Sequence, residues 1–120
     1  MKNKTFWQSI KCAVKGAIKG FRSEKNFWIY LGHVLLTLPL NIWLQFNYVQ
    51  HAVYAITVFG VFATEYVNTA IEKLCNRITE EKDDKIRDIK DIAAAAVSVW
   101  GLAFYLAEII NVGLCIFVYP

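Results

Sequence analysis

Residues 26–64 contain no Asp, Glu, Lys or Arg, a charge-free run of 39 positions. One bilayer crossing takes roughly 20 apolar residues as a helix, so this run is long enough for two. Residues 92–120 carry a single charge, Glu108, and make a third candidate. The hydrophobic fraction is 57%, more than a soluble domain of this length can hide in its small interior. A bilayer removes that difficulty by acting as apolar solvent.

The basic residues agree with this reading. All thirteen Lys and Arg fall in residues 1–25 and 73–90. Basic segments stay on the cytoplasmic side of a membrane, so both blocks are expected there, with the 47–51 turn and the C-terminus outside. The expected architecture is an all-α membrane protein forming a single domain over residues 1–120. An amphipathic helix over 4–22 lies in the interface, and membrane helices cover 27–46, 52–75 and 92–118. In the first segment Trp7, Ile10, Val14, Ala17 and Phe21 share one face, and Lys4, Lys11, Lys15, Lys19 and Arg22 share another. That pairing of stripes describes a helix lying on a membrane. Gly16 and Gly20 form a weak GxxxG pair. The charged run 80–88 reads as a solvated loop with some helical character.

Several classes fall away. The first 25 residues hold seven basic residues and no apolar core of the secretory type, so no cleavable signal is expected. Cys12, Cys75 and Cys115 fit neither a zinc nor a CxxC spacing. The net charge of +3 suits an anionic membrane surface, and nothing further points to nucleic acid. His33 and His51 read as packed or interfacial side chains, as do Trp7, Trp28, Trp43 and Trp100. The alanines at 93–96 read as positions for close helix packing.

Glu65, Asn68 and Glu72 carry the most information. Offsets of three and four place them on one face of the second membrane helix. A carboxylate in hydrocarbon costs about 2.5–3.5 kcal/mol at mid-span, and ionisable residues there are functional candidates by default. The bland alternative is a surface pairing with Lys73, Arg77 or the basic first helix. The trio suits phosphoryl transfer, in which a carboxylate accepts the proton of an attacking hydroxyl. Other carboxylates hold Mg²⁺ against phosphate oxygens. Glu24 adds a third carboxylate at the same membrane face, and Lys90 and Asp91 open the third membrane helix at that level. A lysine there neutralises nucleotide phosphates. The usual nucleotide signatures, G-x-x-x-x-G-K-[ST] and the Rossmann glycines, are absent.

The run Glu65-Tyr66-Val67-Asn68-Thr69-Ala70-Ile71-Glu72 resembles the E-x-x-N-[ST]-A-I-E signature of the small prokaryotic diacylglycerol kinase and undecaprenol kinase family. Lys90-Asp91-Ile92-Ala93-Ala94-Ala95-Ala96-Val97 resembles its K-D-x-[AG]-[AGS]-A-A-V signature, and Glu24-Lys25-Asn26-Phe27 its E-[RK]-N-F element. The resemblance implies an ATP-dependent lipid kinase of the bacterial inner membrane. It implies Glu65 as catalytic base, Asn68 as a positioning group, and Glu24 and Glu72 as ligands of the Mg²⁺ that accompanies ATP. Lys90 and Asp91 would contact the nucleotide, along with Glu24 and Glu72. The implied assembly is a homotrimer with shared active sites, and the implied acceptor is a membrane lipid alcohol, diacylglycerol or undecaprenol.

Three positions depart from the pattern: Asn76 where many relatives carry Asp, Tyr30 where the undecaprenol kinase side usually has His, and Glu108 deep in the third span. Two rivals follow from the residues alone. One is a small channel or carrier subunit that uses its intramembrane glutamates without kinase activity. The other is a silent membrane subunit, against which Glu24, Glu65, Glu72 and Lys90 are all retained.

Overall fold

The computed structural model describes residues 5–119, so Lys4 at the start of the expected surface helix and Pro120 at the C-terminus lie outside the described residues. Four helices follow one another: α1 (Phe6–Ser23), α2 (Lys25–Trp43), α3 (Tyr48–Ile78) and α4 (Asp84–Phe117). The described residues contain no strand.

Local signals set the boundaries. Thr5 and Gln8 form a capping box at the start of α1, so the helix begins at Phe6. Glu24 alone joins α1 to α2. It is extended, with φ −136° and ψ 124°, and caps both helices. Pro39 lies within α2, which ends at Trp43, three residues short of the expected 46. Gln45 takes a left-handed conformation, with φ 60°, and the Phe46 amide bonds the Asn41 carbonyl at 3.1 Å. The chain thus reverses within residues 44–47. Asn47 and Gln50 form a second capping box, which starts α3 at Tyr48 and makes most of the expected turn helical. At the other end the run 80–88, expected as a loop with some helical character, is non-helical over 80–83 and helical from Asp84. α3 runs on to Ile78, and Asp83 accepts from the Lys85 and Ile86 amides to start α4 at Asp84. Lys90 and Asp91 therefore lie in the second turn of α4 instead of opening it. Apolar composition marks where a chain can enter hydrocarbon, whereas capping marks where helical hydrogen bonding starts and stops.

α3 and α4 form the main antiparallel pair. Gly60 lets them approach, because a Cβ there would overlap the Trp100 ring. Tyr54, Val61 and Phe104 form the small buried core beside them, with Tyr30, Val58 and Trp100 against it. α2 lies along α3 and also reaches α4, through the edge-to-face rings of His33 and Tyr105 and a bond from Asn41 Nδ2 to Glu108 Oε1 of 2.9 Å. α1 folds back over α2 and α3. Phe21 stacks on Phe27, Phe27 meets Tyr66, and the Tyr66 hydroxyl donates to the Ala17 carbonyl at 3.0 Å. Gly20 sits against the Tyr66 ring, so one half of the GxxxG pair packs while Gly16 faces open space.

The distribution of polarity is inverted relative to a water-soluble protein. Asn41, Gln50, Thr57, Glu65, Asn68 and Thr69 are buried, while Leu36, Trp43, Phe59 and Ile92 are more than 70% exposed. By length and composition α4 is long and apolar enough to cross a membrane, and it alone among the described residues. α2 and α3, expected as the other spans, fall short of that mark; of the buried polar residues, Asn41 lies on α2 and the other five on α3. Ala93 is buried between helices, but Ala94, Ala95 and Ala96 are exposed, so only one of the four alanines serves intramolecular packing.

Candidate active site

The sequence places Glu65, Asn68 and Glu72 one turn apart on α3. Packing of α2 across that face buries Glu65 to 1% exposure. Two α2 side chains meet it there. Asn26 Nδ2 donates to Glu65 Oε1 at 3.4 Å, and the Tyr30 hydroxyl donates to Oε2 at 3.5 Å. Both contacts are long, so each carboxylate oxygen is held loosely. The partners are themselves one turn apart, at i and i+4 on α2, which is why both reach one carboxylate. Neither was assigned a role by the sequence. The legible signal was the polar pair Asn26 and Tyr30 at helical spacing in an otherwise apolar run.

Asn68 Nδ2 donates to Glu72 Oε1 at 3.3 Å. That leaves Asn68 Oδ1 buried with no hydrogen-bond partner, and Thr69 Oγ1 beside it likewise. Buried polar atoms are nearly always paired, so these two unsatisfied atoms stand out. Glu24, half-buried at the α1–α2 corner, makes no capping bond with its side chain. Both Glu24 and Glu72 are close enough to Glu65 for their charges to act on it. Glu24 acts on it from the α1–α2 corner and Glu72 from two turns further along α3.

Lys90 sits on α4 opposite the end of α3, where its Nζ donates to Asn76 Oδ1 at 2.6 Å. Asn76, the departure from the usual acid, is thus a neutral anchor for the lysine. An open cavity of about 350 Å³ begins at this pair and continues along the 79–83 turn, bounded by charged side chains of both signs. Asp91 is exposed on the next position, and its side chain joins none of these contacts. The histidines stand apart: His33 Nδ1 donates to the Ile29 carbonyl at 2.8 Å, and His51 packs on Phe46.

Among the described residues no group of three or more His, Cys, Asp or Glu is arranged to hold a metal alone. Mg²⁺ does not require one, because it takes one or two carboxylates and completes its shell with water and phosphate oxygens. Glu72 and Glu24, each acting electrostatically on Glu65, are the carboxylates available for that mode of binding.

The family model described as prokaryotic diacylglycerol kinase matches residues 11–116. The undecaprenol kinase of Bacillus subtilis (strain 168) is 27% identical over 97 residues, which cover 81% of this chain and 79% of that protein. No solved structure matches. The match takes in α2, α3 and α4 and with them every residue of the acidic cluster. The chain belongs to the prokaryotic diacylglycerol kinase family, a family of membrane-integral lipid kinases.

Proposed function

We propose that this protein transfers the γ-phosphate of MgATP to the hydroxyl of a membrane lipid alcohol, either diacylglycerol or undecaprenol. The observation that carries the reading is the fully buried Glu65 carboxylate, loosely held by Asn26 and Tyr30 and flanked by Glu24 and Glu72. A group so placed accepts the proton as the lipid hydroxyl attacks. Displacing two long hydrogen bonds costs little, so an incoming hydroxyl can replace Tyr30 at Glu65 Oε2. Asn68 orients Glu72 through its amide and offers Oδ1 to the reacting groups. Lys90, whose Nζ is tied only to a neutral amide, answers the charge of the nucleotide phosphates. Asp91 borders the nucleotide on the same helix. Mg²⁺ held by Glu24 and Glu72 would neutralise charge on the transferred group.

In this reading α2, α3 and α4 all span the membrane, with polar faces turned inward and apolar faces toward lipid. α1 lies on the cytoplasmic surface with Trp7, Ile10, Val14 and Ile18 exposed. The N-terminus and the 79–83 turn are cytoplasmic and the C-terminus is outside. Three copies share their sites. Incubating the purified chain with labelled ATP and each lipid alcohol in turn tests the activity, and labelled phosphatidic acid or undecaprenyl phosphate is the expected product. Failure to phosphorylate either alcohol removes the reading.

A further inference from the structure

The half of the bundle away from Glu65 holds a second acid. Glu108 of α4 meets α2 at Asn41, which is wholly buried and whose Nδ2 donates to Glu108 Oε1 at 2.9 Å. The other oxygen of each group, Asn41 Oδ1 and Glu108 Oε2, is buried with no hydrogen-bond partner. If the carboxyl is ionised both are acceptors, because neither an amide oxygen nor a carboxylate oxygen carries a hydrogen. The neighbouring sequence supplies no Lys or Arg to answer such a charge: residues 26–64 and 92–120 contain none, and Glu108 is their one acid. The titratable side chains around the pair are few. Tyr54 of α3 lies near enough for a charge on Glu108 to act on it, and its hydroxyl shares a hydrogen bond of 2.7 Å with Thr37. His51 of α3 packs on Phe46 just beyond the end of α2. Further along α2 and α4, the rings of His33 and Tyr105 meet edge to face. None of them bonds either orphan oxygen.

We infer that Glu108 is a neutral carboxylic acid whose proton closes a second hydrogen bond, from Oε2–H to Asn41 Oδ1, so that acid and amide form a two-bonded ring clamping α2 to α4. One proton then satisfies both orphan oxygens and removes the charge. A carboxylate without a counter-ion is costly in hydrocarbon, whereas a buried polar pair that satisfies itself is tolerated. The clamp completes the attachment of α2. One end of that helix meets Glu65 of α3 through Asn26 and Tyr30, and the other meets α4 through Asn41. The two acids are held differently. Glu65 has bonds of 3.4 and 3.5 Å and can exchange partners, while Glu108 is held at 2.9 Å by an amide with no exposure. Glu108 is thus a structural acid, and nothing in the clamp depends on phosphoryl transfer.

Infrared spectroscopy of the full chain in dodecyl maltoside, a detergent with no carbonyl of its own, reads the protonation state directly. The difference spectrum of wild type minus Glu108→Gln should contain the C=O stretch of a protonated carboxylic acid, sensitive to deuterium exchange. Glu65 is present in both proteins and drops out. In Asn41→Leu the band should leave its wild-type position, because the acid has lost its partner. A carboxylate band in the difference spectrum, or an acid band that Asn41→Leu leaves in place, overturns the inference. Thermal unfolding supplies a second measurement. Glu108→Gln puts an amide N–H where the acid had its O–H, so its midpoint should stay close to that of wild type. Asn41→Leu and Glu108→Leu each strand one buried partner and should lower the midpoint by several degrees. The double variant should recover most of that loss, because removing both members leaves nothing unsatisfied. Additive losses overturn the pairing. An altered oligomer mass in Glu108→Gln also overturns it, because a neighbouring copy would then supply the missing donor. So does a wild-type midpoint that falls when sodium and potassium salts are replaced by choline chloride, because a metal cation would then meet the two oxygens.

Discussion

Glu65 concentrates the tension in this molecule. A carboxylate at 1% exposure with two hydrogen bonds near the length limit is under-solvated for its burial, and a structural acid would be better satisfied. The proposed role as catalytic base accounts for that state. Glu65→Gln keeps the size and the acceptor for Asn26 but removes the base. The chemical step should slow by roughly 10²–10⁴-fold, with ATP binding retained, and single-turnover kinetics on the folded variant would decide it. A near-normal rate would mean that another group takes the proton. Glu24→Gln and Glu72→Gln should instead raise the Mg²⁺ needed for half-maximal rate, because each removes one of few protein ligands. Titrating Mg²⁺ at saturating ATP separates this from a loss of base. Lys90→Ala should raise the KM for ATP, read from an ATP titration at fixed lipid. Full activity in all four variants would reduce the cluster to a surface charge network.

One helix contact hangs on a single residue. Gly60 of α3 admits the Trp100 ring of α4 where no Cβ fits. Gly60→Val must push an aromatic ring and a helix apart, and overpacking of this kind costs about 1–3 kcal/mol. Thermal unfolding in detergent should come earlier than in the wild type, while Gly113→Val, which meets open space, should leave it unchanged. A Gly60→Val protein as stable as wild type would show that the α3–α4 seam is plastic. α1 depends on a similar contact: Gly20 lies against Tyr66, whose hydroxyl holds the Ala17 carbonyl. These two contacts dock the first helix beside the neighbour of Glu65. Along α2 the polar groups Asn26, Tyr30, Thr37 and Asn41 recur at four- to seven-residue intervals and meet Glu65, Tyr54 and Glu108 in turn. Glu108 therefore has a partner in Asn41 on the far half of the helices, which gives the unexpected acid a bridging place between α2 and α4.

At the scale of the whole molecule, apolar side chains cover the outside. Leu35, Leu36, Trp43, Phe59, Ile109 and Ile110 are all at least 60% exposed, which in water would be an aggregation surface and in a bilayer is a lipid or subunit face. Two measurements follow. A reporter fused after residue 120 should be found outside the cytoplasm, as the two basic blocks require for an odd number of spans; a cytoplasmic reporter would defeat the three-span topology. Native mass measurement in nanodiscs should find three copies, closed symmetry being usual for homo-oligomers. An active single copy would show that one chain encloses the whole site.

The sequence by itself determined the helical, lipid-facing character of the chain and most of the acidic cluster. Those properties are local: charge-free runs report on solvent, and offsets of three and four fix which side chains share a helix face. The family motifs were equally legible, since each lies within one segment. What surrounds Glu65 was decided by tertiary structure. Asn26 and Tyr30 are 39 and 35 residues away in sequence, and only packing of α2 across α3 makes them its partners. The pairing of Lys90 with Asn76 and the meeting of Asn41 with Glu108 arise in the same way. They depend on the register in which helices pack, and that register follows from how Gly60 takes Trp100 and Gly20 takes Tyr66, surface-to-surface fits to which hydropathy is blind.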